Sequence, residues 1–315
     1  MPELTVVEPR ETTAVDRLVD DYLASCRARG LSPKTVKFVY AYVLRSVFLP
    51  FCRREGVKQP DQVTRKVLDR FSTELLDSGG AKGQLSKHSV HSYVRSVNSF
   101  LGWASREGEV SADTKAQLPK LGRRLLEVLS REEIQAMEDV AKTERDKLIV
   151  RVLADTGIRV GELVGLRTSD LILQGRRHFL RVRGKGDLER LVPISPTLHA
   201  RLRRYIDRAR PKEVSGDRLF IALRRNPAGD LDPLTASGVE QMIKIIGQVA
   251  GVEKRVYPHL LRHSFITWSL TRGMNPIQLA QIVGHTSLAM IQQVYSHLTP
   301  SDAYDAMLRV LQVED

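Results

Sequence analysis

Residues 171–194 read LILQGRRHFLRVRGKGDLERLVPI, and this stretch decides the fold because it interrupts a chain otherwise patterned for helices. Leu171-Ile172-Leu173, His178-Phe179-Leu180-Arg181-Val182-Arg183 and Leu188 to Ile194 are short runs rich in apolar and β-branched residues, the signature of three strands. Gly184-Lys185-Gly186-Asp187 forms the turn between the last two. The pattern therefore predicts a small antiparallel sheet inside a mainly α chain.

Helices flank this sheet on both sides. Before it, Leu148, Ile149, Val152 and Leu153 mark the buried face of a helix that stops at Thr156-Gly157, and Ser130-x-x-Glu133 is a capping box opening the helix before that. After it, helices are expected at Pro196 to Arg210, Ala236 to Ala250, His259 to Arg272, Pro276 to Val283 and Ser287 to His297. A last helix from Ser301 presents Tyr304, Met307, Leu308 and Leu311.

Farther upstream, between Gly108 and Arg124, the periodicity lapses and Pro119-Lys120-Leu121-Gly122-Arg123-Arg124 reads as a basic linker. Residues 13–107 read as about four helices: Leu18, Val19, Tyr22 and Leu23 open the first, Gly30 ends it, and Ser32-Pro33, Thr64 and Ser86 each start another. The expected organisation is a helical domain at 13–110, a linker at 111–126, a mixed α/β domain at 127–300 and a C-terminal helix at 301–315.

The 315 residues carry a net charge of +12, and the excess is not confined to a tail. Residues 1–125 hold 21 Lys+Arg against 14 Asp+Glu, and residues 126–315 hold 28 against 23. An arginine-rich surface suits a polyanionic partner such as duplex DNA. Cys26 and Cys52 stand apart without C-x-x-C spacing, which argues against a disulfide framework or a structural zinc site. The N-terminus lacks the basic and apolar regions of a signal peptide, and no apolar run approaches the ~20 residues of a membrane span. The expected setting is cytoplasmic, with no membrane partner.

Six residues then follow in a fixed order: Arg159, Lys185, His259, Arg262, His285 and Tyr295. A phosphodiester resists attack because its oxygens are already negative and its leaving alkoxide is poor. A catalyst must spread charge and protonate the leaving oxygen. Arg159 and Arg262 are suited to the first task through forked guanidinium bonds, and Lys185, in a glycine-flanked turn, to the second. Glu162, one turn after Arg159, is placed to hold that arginine. His259 and Arg262 share a helix face, and His285 follows a helix-ending Gly284. Tyr295 supplies a phenol that must be assisted by its neighbours, since its ordinary pKa is about 10.

Thr156-Gly157-Ile158-Arg159-Val160-Gly161-Glu162-Leu163, His259-Leu260-Leu261-Arg262-His263-Ser264, Val283-Gly284-His285-Thr286-Ser287 and Val294-Tyr295-Ser296-His297 resemble the motifs of the tyrosine recombinase or phage integrase family, across residues 127–300. The helical N-terminal segment resembles that family's SAM-like core-binding domain. The resemblance implies a C-shaped clamp on duplex DNA, and attack by Tyr295 to give a 3'-phosphotyrosyl link and a free 5'-hydroxyl. It assigns Arg159, Arg262, His259 and His285 to transition-state stabilisation and Lys185 to protonation of the leaving oxygen. No metal or nucleotide cofactor is implied. Strand exchange would occur in a tetramer, with the last helix docking on a neighbouring protomer and an accessory directionality protein as a further possible partner.

Within that class a mobile-element integrase or transposase is expected, because the interval from His285 to Tyr295 is one residue longer than in Xer-type enzymes. The alternative is a Xer-type recombinase resolving chromosome dimers. With no room before residue 13 for an arm-binding domain, the expected site is simple. Two other classes share parts of the pattern: a DNA-binding protein that has lost cleavage, which should lack one of the six residues, and a relaxing enzyme of the type IB topoisomerase kind, which needs no paired sites.

Overall fold

A computed structural model of the protein describes residues 12–77, 84–122, 127–184, 188–212 and 216–284. The chain divides into two compact units, Met1–Arg124 and Leu125–Asp315. Lys185, His285, Tyr295 and the helices expected from Ser287 and Ser301 lie outside the described residues.

In the first unit, helix starts follow side-chain caps written in the sequence. Helix α1 (Ala14–Ala28) begins with a capping box between Thr13 and Asp16 and gives way to Gly30 at φ 73°. Helix α2 (Pro33–Arg54) starts where the Ser32 hydroxyl accepts from the Thr35 amide, and it contains two π-type stretches, Val36–Ala41 and Leu44–Phe48. Helix α3 spans Arg65–Asp77, and helix α4 (Lys87–Arg106) is capped by Ser86. Their inward faces meet in an aromatic core. Phe48 packs edge-on to Phe71 and Phe100 at 5.3 and 6.3 Å, and Tyr22 packs edge-on to Phe100 at 5.7 Å.

One expectation needs correction. Helix α2 has 22 residues and holds an 18-residue stretch of mean hydropathy 1.3, so by length and composition it could cross a membrane, a segment the sequence pattern did not predict. Lys37 and Arg45 interrupt its apolar run, which hid its total length. Val36, Val43, Leu44 and Phe48 are buried in the unit's own core, so the helix packs as a domain element.

The second unit is built around helix α6. Helix α5 (Arg131–Val140) carries the Ser130–Glu133 capping box with both reciprocal bonds formed. Helix α6 (Glu144–Thr156) buries Leu148, Ile149, Val150, Val152, Leu153 and Ala154, most of its circumference. Short helix α7 (Val160–Gly165) leads to strands β1 (Leu171–Gln174), β2 (Arg177–Arg183) and β3 (Glu189–Pro193), an antiparallel sheet in sequence order. Leu180 pairs with Val192 and Val182 with Arg190. Cross-strand partners share a face, so Arg190 stands on the side where Leu180, Val182 and Val192 are fully buried.

Helix α8 (Pro196–Arg204) continues through a π turn, Tyr205–Ala209. A second hairpin, β4 (Ile221–Arg225) with β5 (Leu231–Pro233), was not anticipated. Its strands are short, its register is irregular, and Pro233 cannot donate to the ladder. The turn is held by the Asn226 side-chain oxygen, which accepts from the Ala228 and Asp230 amides. Helices α9 (Ala236–Val249), α10 (Pro258–Thr271) and α11 (Pro276–Val283) complete the described unit.

Phe100→Ala should destabilise the first unit by about 3–5 kcal/mol, because it removes a ring that two aromatic neighbours cannot collapse to replace. Urea unfolding followed by far-UV circular dichroism measures this, and a loss under about 1 kcal/mol would contradict the packing described.

Candidate active site

The site begins where α6 ends. Gly157 caps that helix at φ 61°, its amide donating to the Leu153 carbonyl. A Cβ there would lie 2.5 Å from Cδ1 of Phe265, so both backbone conformation and space call for glycine. Two residues on, Arg159 occupies the N-cap of α7 in extended conformation. Its amide donates to Oε2 of Glu162 at 2.8 Å, and its Nη1 donates to Oε1 at 3.0 Å.

Glu162 is also the partner of Arg190. Nη1 and Nη2 of Arg190 donate to the two carboxylate oxygens at 3.0 and 2.8 Å, a forked pair. The third arginine, Arg262, comes from α10 and is buried, only 6% exposed. It donates to the Gly157 carbonyl oxygen and, at 2.8 Å, to that of Val283.

These three guanidiniums converge on the C-terminal end of α11. Arg190 Nε donates to the Ile282 carbonyl at 2.7 Å, Arg262 Nη2 to that of Val283 at 2.8 Å, and Arg159 Nη2 to that of Gly284 at 3.0 Å. Three successive carbonyls at a helix C-terminus normally lack intrahelical partners and carry partial negative charge. Here each is met by a cation. Gly284, at φ 66°, turns the chain out of the helix, and the next residue in sequence is His285.

Burial by itself pushes the Glu162 carboxyl up, but bonds from Arg190 and from the Arg159 amide, reinforced by the Arg190 charge, outweigh it and hold the group below the usual glutamate range. Burial pushes Arg262 down to about 10, helped by the charges of Arg159 and Arg190 and opposed by Glu162. Arg262 thus stays protonated at neutral pH. One buried carboxylate bonds two of the three guanidiniums, leaving the cluster with an excess of positive charge. The side chain of Arg159 is the most open of the three at 41% exposed, against 15% for Arg190.

Of the residues singled out from sequence, the structure brings Arg159, Glu162 and Arg262 together. His259 lies exposed in the first turn of α10, three residues before Arg262 on the same helix. Lys185, His285 and Tyr295 fall outside the described residues. The flanks of the Lys185 turn are well tied: the Gly184 amide donates to the Leu188 carbonyl at 2.8 Å, and Arg183 joins Asp170 at 2.7 Å and Glu189 at 2.9 Å. The motifs do not single out Arg190. Its signal was the strand alternation, which puts an arginine on the same face as buried Val192.

The Phage integrase family model matches residues 127–302 of this chain. The chain belongs to the phage integrase family. Among curated members of this kind, tyrosine recombinase XerD of Listeria monocytogenes serotype 4b is 31% identical over 294 residues, covering 90% of this chain and 94% of its own. The crystal structure of XerA recombinase superposes with a TM-score of 0.51 at 29% identity, covering 96% of this chain and all of that one. The Tn1549 transposon integrase, solved in complex with a circular intermediate DNA, shares the fold at a TM-score of 0.69 and 20% identity, covering 94% of this chain and 99% of that one. As a tyrosine recombinase of the phage integrase family, the protein is a DNA strand-transferring enzyme.

Two outcomes follow from this geometry. Gly157→Ala should cost about 1–2 kcal/mol from the left-handed backbone alone, plus the clash with Phe265, and weaken the seat of Arg262; chemical denaturation reads the loss. Glu162 has a lowered folded pKa, so its stabilisation is complete above the ordinary glutamate value of 4.5 and fades as pH falls below it. The stability advantage of wild type over Glu162→Gln should therefore shrink as pH drops from 5 toward 3, and an advantage constant with pH would contradict the ionised cluster.

Proposed function

We propose that this enzyme cleaves and rejoins duplex DNA at a specific site through Tyr295. The Tyr295 oxygen, giving up its proton to a flanking histidine, attacks the scissile phosphorus and forms a 3'-phosphotyrosyl bond as the bond to the 5' oxygen breaks. Lys185 gives its proton to that departing oxygen. Arg159 and Arg262, with His259 and His285, hold the non-bridging oxygens while charge builds on them. A partner strand's 5'-hydroxyl then attacks the same phosphorus and releases the tyrosine. The covalent link conserves the bond energy throughout.

The observation that carries this reading is the convergence of Arg159 and Arg262 on adjacent carbonyls at the end of α11, immediately before His285 in sequence. That arrangement ties two phosphate-binding cations to the start of the segment bearing the remaining histidine and the tyrosine. The functional assembly is a tetramer on paired sites, formed in the cytoplasm from a core-binding domain at 13–110, a linker at 111–126, a catalytic domain at 127–300 and a C-terminal helix at 301–315 that docks on a neighbour. An accessory directionality protein fits the same scheme.

The biological role is excision and integration of a mobile element, supported by the ten-residue step from His285 to Tyr295. Xer-type resolution of chromosome dimers is the second reading, consistent with the similarity to XerD along 94% of that protein's length.

Nicked duplexes drawn from DNA flanking the gene should trap a denaturant-stable adduct with wild type and none with Tyr295→Phe. Lys185→Ala should slow adduct formation by about 10²–10⁴-fold, the usual contribution of a general acid. Specific retention of the same DNA without an adduct would instead indicate a binding-only protein. Deleting the gene separates the biologies: loss of a circular element junction marks the mobile-element role, and filamentous cells with unresolved chromosomes mark the Xer role.

A further inference from the structure

The site's chemistry is assigned to residues that can reach DNA, yet the most heavily bonded guanidinium in the cluster belongs to a residue outside that set. Arg190 spends Nη1 and Nη2 on the two oxygens of Glu162 and Nε on the Ile282 carbonyl. Its partners lie 28 and 92 residues away in sequence, so one planar group joins β3, α7 and the end of α11. The side chain is 15% exposed and the carboxylate 6%, which shields the pair from competing water. Gly284 closes over it: a Cβ there would lie 2.9 Å from Cζ and Nη1 of Arg190. The backbone that leads to His285 is thus stacked against this guanidinium.

We propose that Arg190 is a positioning residue for strand cleavage: it orients Arg159 through Glu162 and fixes the end of α11 from which the chain runs on to His285. The inference deepens the proposed reaction and rests on that reading for its kinetic consequence. Its geometric content stands apart from the chemistry. Lysine is a poor replacement here, because arginine meets the Glu162 carboxylate and the Ile282 carbonyl with three separate nitrogens of one rigid plane, whereas lysine would have to draw both partners onto a single nitrogen. Methionine keeps much of the stem's volume and removes all three bonds.

The test uses the full chain as wild type, Arg190→Lys and Arg190→Met, with two readouts. Hydrogen exchange on the free protein compares peptides covering 276–284 with those covering 148–153 in the α6 core. The proposal expects faster exchange in the first and none of that change in the second, for both variants. Single-turnover adduct formation on a nicked duplex is measured beside the dissociation constant for the same DNA. The expected result is binding within about twofold of wild type and cleavage slower by about 100-fold, the scale of an ångström-level misplacement, with Arg190→Lys giving no rescue. In a double-mutant cycle, Arg190→Met should add little to Arg159→Ala, because the two act through one carboxylate.

Unchanged exchange at 276–284 would overturn the proposal whatever the chemistry. So would faster exchange with an unaltered cleavage rate, or full rescue by lysine. Exchange changes spread across the α6 core would mean that Arg190 merely supports the fold, which also overturns it. Absence of any Tyr295-dependent adduct in wild type would instead strike the proposed reaction, with the exchange data still deciding whether Arg190 holds the end of α11.

Discussion

The end of helix α11 is the point on which the described catalytic unit depends. A helix terminus leaves its last carbonyls unpaired and partially negative, and water usually satisfies them. Here the guanidiniums of Arg190, Arg262 and Arg159 take Ile282, Val283 and Gly284 in turn. Each arginine comes from a different element: the sheet through β3, helix α10, and the N-cap of α7. Shifting α10 would leave the buried Arg262 and the Val283 carbonyl unpaired, which is expensive in low dielectric. The helix end and the arginine cluster are therefore one object, and neither can be altered alone.

This constraint explains two glycines that would otherwise look like ordinary helix stops. Gly157 and Gly284 both adopt left-handed backbone at helix C-termini, but each also lies under a side chain that leaves no space for a Cβ. Gly157 lets Phe265 of α10 approach, so that Arg262 on that helix reaches the Gly157 carbonyl. Gly284 lets Arg190 approach in the same way. In both places a missing side chain is what allows an arginine from a distant element to bond backbone. Glu162 completes the scheme, since its single carboxylate binds Arg159 and Arg190 and offsets part of the repulsion among three cations.

Local chemistry was legible in the sequence, and long-range chemistry was only partly so. Ser32, Ser86 and Ser130 were readable as caps because a cap is decided within four residues. The sheet of β1 to β3 was readable by alternation. The β4–β5 hairpin was not, since strands of five and three residues, the second ending in proline, carry too little pattern. The full length of α2 was obscured by the charges within it. At the site, Glu162 could be paired with Arg159 from its spacing alone, being three residues away. Arg262 was recognised by its motif, but its carbonyl partners, 105 and 21 residues distant, are set only by the fold. Arg190 lies in no recognised motif, and nothing nearby in sequence announces its partners.

The distribution of exposure among the three arginines has a chemical consequence. A guanidinium free in water must shed solvent and lose rotamer freedom before it can hold a phosphate, and both costs fall on the reaction. Arg262, buried and bonded to two carbonyls, has already met those costs in folding. Those bonds use only part of its five N–H donors, so it can remain oriented and still donate. Its charge also acts through less water, which strengthens its pull on an anion. Arg159 keeps more contact with solvent but is braced by Glu162, which is braced in turn by Arg190. The cluster thus grades from fixed interior cations to one that faces outward, the arrangement expected where developing negative charge must meet dipoles and charges that do not have to move.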